Sequence, residues 1–64
     1  MVPHEQRVVA EKAELEERRI KLAAFTTTPT FAALPEEDKL LLLAQHKVMH
    51  EYVRILEKRI ARFV

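Results

Sequence analysis

Five polar residues, Glu11, Arg18, Gln45, Tyr52 and Arg59, recur at heptad spacing beside lines of large apolar residues, and they are the part of this chain best equipped for chemistry. Arg18 and Arg59 are planar cations suited to phosphate oxygens, Gln45 offers a donor and an acceptor, and Tyr52 adds an aromatic face. That mixture suits a nucleotide: cations on phosphate, an amide and a carboxylate on ribose or base edges, and a ring for stacking. Arg7 is a reserve phosphate contact. The same residues also have a plainer use, because polar groups at heptad core positions fix register and subunit number. A charge left alone in a helical interface costs several kcal/mol. The five therefore either bond one another or line a pocket that water or a ligand enters.

Two helices must position them. From Leu40 to Val64 the chain has no Gly or Pro and repeats its large residues at helical spacing, with Leu42, Met49, Leu56 and Phe63 on one line and Gln45, Tyr52 and Arg59 on the line beside it. A first helix is predicted from about Pro3 to Phe25, with Pro3 in its first turn. Val8, Leu15 and Leu22 form its apolar line, and Glu11, Arg18 and Phe25 the neighbouring one. Val9, Ala13, Ile20 and Ala24 broaden this surface. Lys12, Glu14, Glu16, Glu17, Arg19 and Lys21 read as a solvated outer face of mixed sign.

Thr26-Thr27-Thr28-Pro29 ends the first helix, since the hydroxyls compete for backbone hydrogen bonds and the proline disfavours helix before it. Thr28 or Thr30 is expected to cap a single turn from Thr30 to Ala33. Leu34-Pro35-Glu36-Glu37 then opens the second long helix, with Pro35 at its first position. Glu36, Glu37 and Asp38 at its start and Lys58, Arg59 and Arg62 at its end suit the helix dipole. The fold class is all-α: an antiparallel hairpin over residues 1–64, closed at one end by Phe31 and Leu34. The expected register sets Val8 against Leu56, Leu15 against Met49 and Leu22 against Leu42; a shift of half a heptad, which the loop permits, is the alternative and would mix apolar with polar layers. Its polar layers are Arg18 with Gln45, Glu11 with Tyr52 and His4 with Arg59.

Composition narrows the function classes. The chain has 64 residues with no Gly and no Cys, so disulfides and thiolate zinc sites are excluded. Chains this short rarely gain more than about 3–5 kcal/mol from one core and usually need disulfides, a metal or self-association, of which self-association is the remedy left here. Val9, Ile20, Leu41, Val48, Ile55 and Ile60 are expected to face another subunit. Eleven basic and ten acidic residues leave a formal charge of +1, too little for a generic nucleic-acid or membrane surface. Lys47, Arg54, Lys58 and Arg62 form a basic stripe that Glu51 and Glu57 interrupt. No apolar run approaches the roughly 20 residues of a membrane span, and no signal pattern opens the chain.

Catalysis has little to work with: there is no phosphate loop, no serine and no cysteine, and the threonines sit where caps belong. His46 and His50 have metal-ligand spacing, but Lys47, Val48 and Met49 lie between them, and two exposed histidines on a solvated face are the simpler reading. No cofactor or metal is expected.

Gln6-Arg7-Val8, Glu11, Leu15, Ile20-Lys21-Leu22 and Phe25, followed by Phe31, Leu34, Leu42, Gln45, Met49, Tyr52, Ile55-Leu56 and Arg59-Ile60, resemble small phage and prophage proteins related to those of crAss-like phages. By analogy of size, fold and origin the chain also resembles sequestin-type sponges. The resemblance implies a phage protein in the cytoplasm of an infected bacterium. It would be a homo-oligomer that sequesters a cyclic ADP-ribose or cyclic oligonucleotide signal of Thoeris or CBASS immunity without cleaving it. The ligand-binding residues expected are Arg18, Gln45, Tyr52, Arg59, Glu11 and Arg7. Two other classes stand beside this reading: a helical module that inhibits a host enzyme, and a small RNA-binding four-helix dimer.

Overall fold

The computed structural model describes residues 2–63. Three helices follow one another, α1 (Pro3–Phe25), α2 (Pro29–Ala32) and α3 (Glu36–Ala61), and α1 packs along α3 in a rod of 47 × 14 × 13 Å. No strand occurs among the described residues.

Local chemistry sets each boundary. Pro3 sits at the start of α1, and the Val2 N–H donates to Glu5 Oε1 at 3.2 Å, half of a capping box. At the other end the hydroxyls of Thr26, Thr27 and Thr28 donate back to the carbonyls of Ala23, Ala24 and Phe25, each at 2.7 Å. These bonds add to the backbone N–H groups of Thr27 and Thr28, which donate to the carbonyls of Ala24 and Phe25 at 3.2 and 3.0 Å, in satisfying the last carbonyls of the helix. Thr28 serves twice, because its oxygen also accepts the Phe31 N–H at 3.2 Å and caps α2. The single turn thus begins one residue earlier than expected, at Pro29 instead of Thr30. Pro35 is likewise the N-cap of α3 and not its first helical residue, with its carbonyl accepting the Lys39 N–H at 3.1 Å. Phe25 and Phe31 close the turn edge to face, their centroids 6.0 Å apart, and Leu34 is half-buried beside them in sequence.

The core is a narrow seam. Val8, Leu15, Val53 and Leu56 are buried, Leu56 completely, and Met49, Ile60 and Phe63 pack against them. Val8 and Leu56 share this cluster, as do Leu15 and Met49, in keeping with the expected register. The second inward line of α3 differs from expectation. It is Lys39, His46, Val53 and Ile60 that are buried or half-buried, while Gln45, Tyr52 and Arg59 are exposed. Two helices in contact cover about two residue lines each, and the line holding Val53 and Ile60 is the more apolar neighbour of Leu56. Ile60 therefore belongs to the seam and not to the outer surface, whereas Val9, Ile20, Leu41, Val48 and Ile55 are exposed as expected.

The outer face of α1 is also less solvated than its charges suggest. Lys12, Glu16 and Arg19 are half-buried, as is His46 on α3. Long cationic side chains lay their aliphatic stems along apolar surface and keep the charge at its rim. This position is costly for His46, since its Nε2 is buried without a hydrogen-bond partner among the described residues; of the pair His46 and His50, only His50 is exposed as expected.

These placements give two opposite stability changes. Leu56→Ala should lower stability by about 2–5 kcal/mol, nearly all that so small a seam can supply. His46→Leu removes an unmatched buried nitrogen and should raise stability by roughly 1 kcal/mol. Urea unfolding followed by far-ultraviolet circular dichroism, at fixed protein concentration, reads both.

Candidate functional site

The polar line predicted to do chemistry lies along one edge of the hairpin, at the rim of the seam. Its centre is a bond between the two long helices: the Tyr52 hydroxyl donates to Glu11 Oε2, linking residues 41 apart in sequence. Among the described residues it is the one side-chain hydrogen bond that joins α1 to α3. The bond to Glu11 raises the Tyr52 pKa above 10.0, helped by partial desolvation and the carboxylate charge and opposed by Arg59. The tyrosine oxygen is thus committed to Glu11, while the residue stays 39% exposed and leaves ring surface on the edge.

The other polar layers do not close. Arg18 Nε reaches only the carbonyl of Glu14, at 3.4 Å, and the Gln45 amide lies 3.9 Å from Met49 Sδ. Both contacts are within one helix and weak by their length. No hydrogen bond joins Arg18 to Gln45 among the described residues. No hydrogen bond joins His4 to Arg59 among the described residues; the His4 ring meets Phe63 edge to face, 6.1 Å between centroids, at the open end of the hairpin. Arg7, Arg18, Gln45 and Arg59 are all exposed.

Register fixes their spacing. Arg18 lies one heptad from Glu11 toward the turn, and Arg59 one heptad from Tyr52 toward the open end. The helices are antiparallel, so these steps run in opposite directions and separate the two arginines by about 20 Å along the rod. An arginine side chain is shorter than half that gap. One hairpin therefore cannot close Arg18 and Arg59 on the same phosphate. Arg7 is nearer to the level of Arg59, and Arg18 shares the level of Gln45.

The opposite edge holds a cluster that sequence reasoning assigned to solvent. Arg19 bonds Glu16 through its Nε and terminal nitrogens. That bond, with the charges of Arg19, Lys12 and His50, holds the Glu16 carboxyl below its ordinary 4.5, against the opposing effect of burial. Lys12 and Arg19 follow Glu11 and Arg18 by one position each, and that was the available signal. A shallow cleft of about 440 Å³ on this side is lined by Val9, Lys12, Ala13, Glu57, Ile60 and Ala61. It is walled mainly by carbon and gathers few polar groups. Among the described residues, no three His, Asp or Glu side chains converge in a way that could hold a metal ion.

Comparison with known proteins bears on the whole hairpin. A family model described as Sequestin matches residues 2–62, a span that takes in all three helices. The chain belongs to the sequestin family. No curated protein and no solved structure matches it. The name of the family points to sequestering, and a sequestin needs a surface that holds a ligand more than one that transforms it. The exposed polar edge of this sequestin has Tyr52 held at its centre by Glu11 and cations on either side.

The Tyr52–Glu11 bond can be read directly, because the chain has one Tyr and no Trp. A raised folded-state pKa means that the bond's contribution is complete below the ordinary tyrosine value of 10.0 and is lost as pH rises through the raised value. Phenolate absorbance should show a midpoint above 10.0 in the native protein. Glu11→Gln should move that midpoint down toward the ordinary value while far-ultraviolet dichroism stays helical. A native midpoint already at the ordinary value would contradict the bond.

Proposed function

We propose that this sequestin is a phage anti-defence sponge. It binds a nucleotide-derived immune messenger of the cyclic ADP-ribose or cyclic oligonucleotide type, holds it without cleavage, and so keeps it from its receptor. The observation that carries the reading is the family match over residues 2–62. The exposed polar edge supplies groups of the right chemistry. In this reading Arg18 and Arg59 contact phosphates, with Arg7 in reserve near the Arg59 end, while Tyr52 stacks on a base. Gln45 and Glu11 bond base or ribose edges.

The hydroxyls of Thr26, Thr27 and Thr28 are all engaged with backbone carbonyls as caps. The setting of the proposal is the cytoplasm of an infected bacterium, with the chain a phage protein related to those of crAss-like phages that acts as a homo-oligomer. No helix among the described residues is long and apolar enough to cross a membrane.

Isothermal titration of the full protein with cyclic ADP-ribose isomers and with cyclic dinucleotides tests the reading. At least one should bind, and mass spectrometry of the ligand released by denaturation should return it unchanged. Arg18→Ala and Arg59→Ala should each weaken binding by about tenfold or more, the loss expected for a charge-assisted hydrogen bond. Absence of heat with every messenger would overturn the proposal, as would recovery of a cleaved ligand. Capture of a stable host enzyme with no bound nucleotide would favour the inhibitor reading in its place.

A further inference from the structure

The edge that carries Gln45, Tyr52 and Arg59 does not stand alone on α3. One step around the helix lies a second line, Leu41, Val48 and Ile55, whose residues are 69%, 63% and 54% exposed. An apolar line this exposed along a helix marks an interaction surface. The question is what covers it.

The charges of α3 answer for a second copy of the same helix in the opposite direction. Its first turn carries Glu36, Glu37 and Asp38, and its last turn Lys58 and Arg59. Antiparallel pairing sets each acidic end against a basic end, whereas parallel pairing would set like against like. The position of the apolar line points the same way. Val48 lies at the midpoint of Glu36–Ala61, so a two-fold axis there overlaps the helices over their full length. Val48 then meets its own copy, and Leu41 meets Ile55 of the second copy. Lys58 falls against Glu37 of the second copy. A shallow depression of about 330 Å³ already exists among Glu37, Leu40 and Leu41, where Ile55 and Lys58 of the second copy would enter.

This pairing changes what the polar edge can do. Within one hairpin Gln45 is a heptad away from Tyr52, about 10 Å along the rod. Across the proposed axis Gln45 of the second copy comes level with Tyr52. Arg18 shares the level of Gln45 in each hairpin, so it arrives at the same place. Both copies of α1 lie on the same side of the α3 pair, since a two-fold axis perpendicular to the helices keeps that offset. The polar edges therefore face one groove from its two walls.

We propose that two copies of this chain pair antiparallel along α3 on Leu41, Val48 and Ile55 with the two-fold axis at Val48, and that Tyr52 and Glu11 of one copy complete a ligand site with Gln45 and Arg18 of the other. The dimer has two such sites. Its existence stands on the apolar line and the end charges; that the groove receives a messenger rests on the function proposed above.

The absence of native cysteine makes the axis testable by cross-linking. Under mild oxidation Val48→Cys should form a covalent dimer, whereas Ile20→Cys, an equally exposed apolar position on α1, should not. In sedimentation, Lys58→Glu should weaken self-association by about tenfold through like-charge repulsion at both ends. Adding Glu37→Lys to it should restore the native value, and neither residue belongs to the ligand site. A monomeric wild-type chain, cross-linking at position 20 in place of 48, or no rescue by the double exchange would overturn the pairing.

The shared site has its own test, a mixture of two variants. Arg18→Ala and Tyr52→Ala should each bind messenger poorly alone. An equimolar mixture should regain about a quarter of the wild-type sites, because half the dimers are mixed and each of those keeps one intact site. No regain, with wild type binding, overturns the shared site. Cross-linking at position 48 with no messenger bound by wild type overturns the functional reading and leaves the dimer standing.

Discussion

The hairpin depends on how little two helices can hide from water. α1 and α3 bury four residues, Val8, Leu15, Val53 and Leu56, and half-cover a few more. Such a seam stabilises by only a few kcal/mol, and its width decides the role of every other side chain. Residues on the two inner lines of α3 become core whether or not they are apolar, which is why Lys39 and His46 are half-buried. Residues one line further out are left exposed even when apolar, which is why Leu41, Val48 and Ile55 remain in solvent.

The turn and the rim bond then set how the two lines meet. The three threonines stop α1 at Phe25 by bonding its last carbonyls, and Thr28 hands the chain directly into α2. Tyr52 and Glu11 lock the rim at mid-length and leave a cationic group on either side of the lock. The edge is therefore neither a closed network nor a bare patch. Its centre is satisfied internally and its flanks, Arg18 with Gln45 and Arg59 with Arg7, keep their hydrogen-bonding capacity for something else.

Electrostatics tie this edge to the apolar line beside it. The acidic start and basic end of α3 suit its own dipole, and the same arrangement is self-complementary when the helix meets a copy of itself reversed. The proposed pairing would cover the exposed leucine, valine and isoleucine and bring together polar groups that one hairpin holds too far apart.

The sequence by itself determined the elements. Proline, threonine and heptad periodicity are local signals, so α1 could be read to its observed ends and the turn and α3 start to within one residue, and Glu11 could be paired with Tyr52 from the register. What only the tertiary structure decided was which neighbour of the Leu42–Leu56 line turns inward. The line of Gln45, Tyr52 and Arg59 and the line of His46, Val53 and Ile60 flank it on either side at similar helical angles, and periodicity alone does not choose between them. Packing against α1 chose the second because Val53 and Ile60 bury more carbon. That choice moved Gln45 and Arg59 from a supposed interior network to an open edge, drew His46, Lys12 and Arg19 into the rim, and held Arg18 and Arg59 about 20 Å apart.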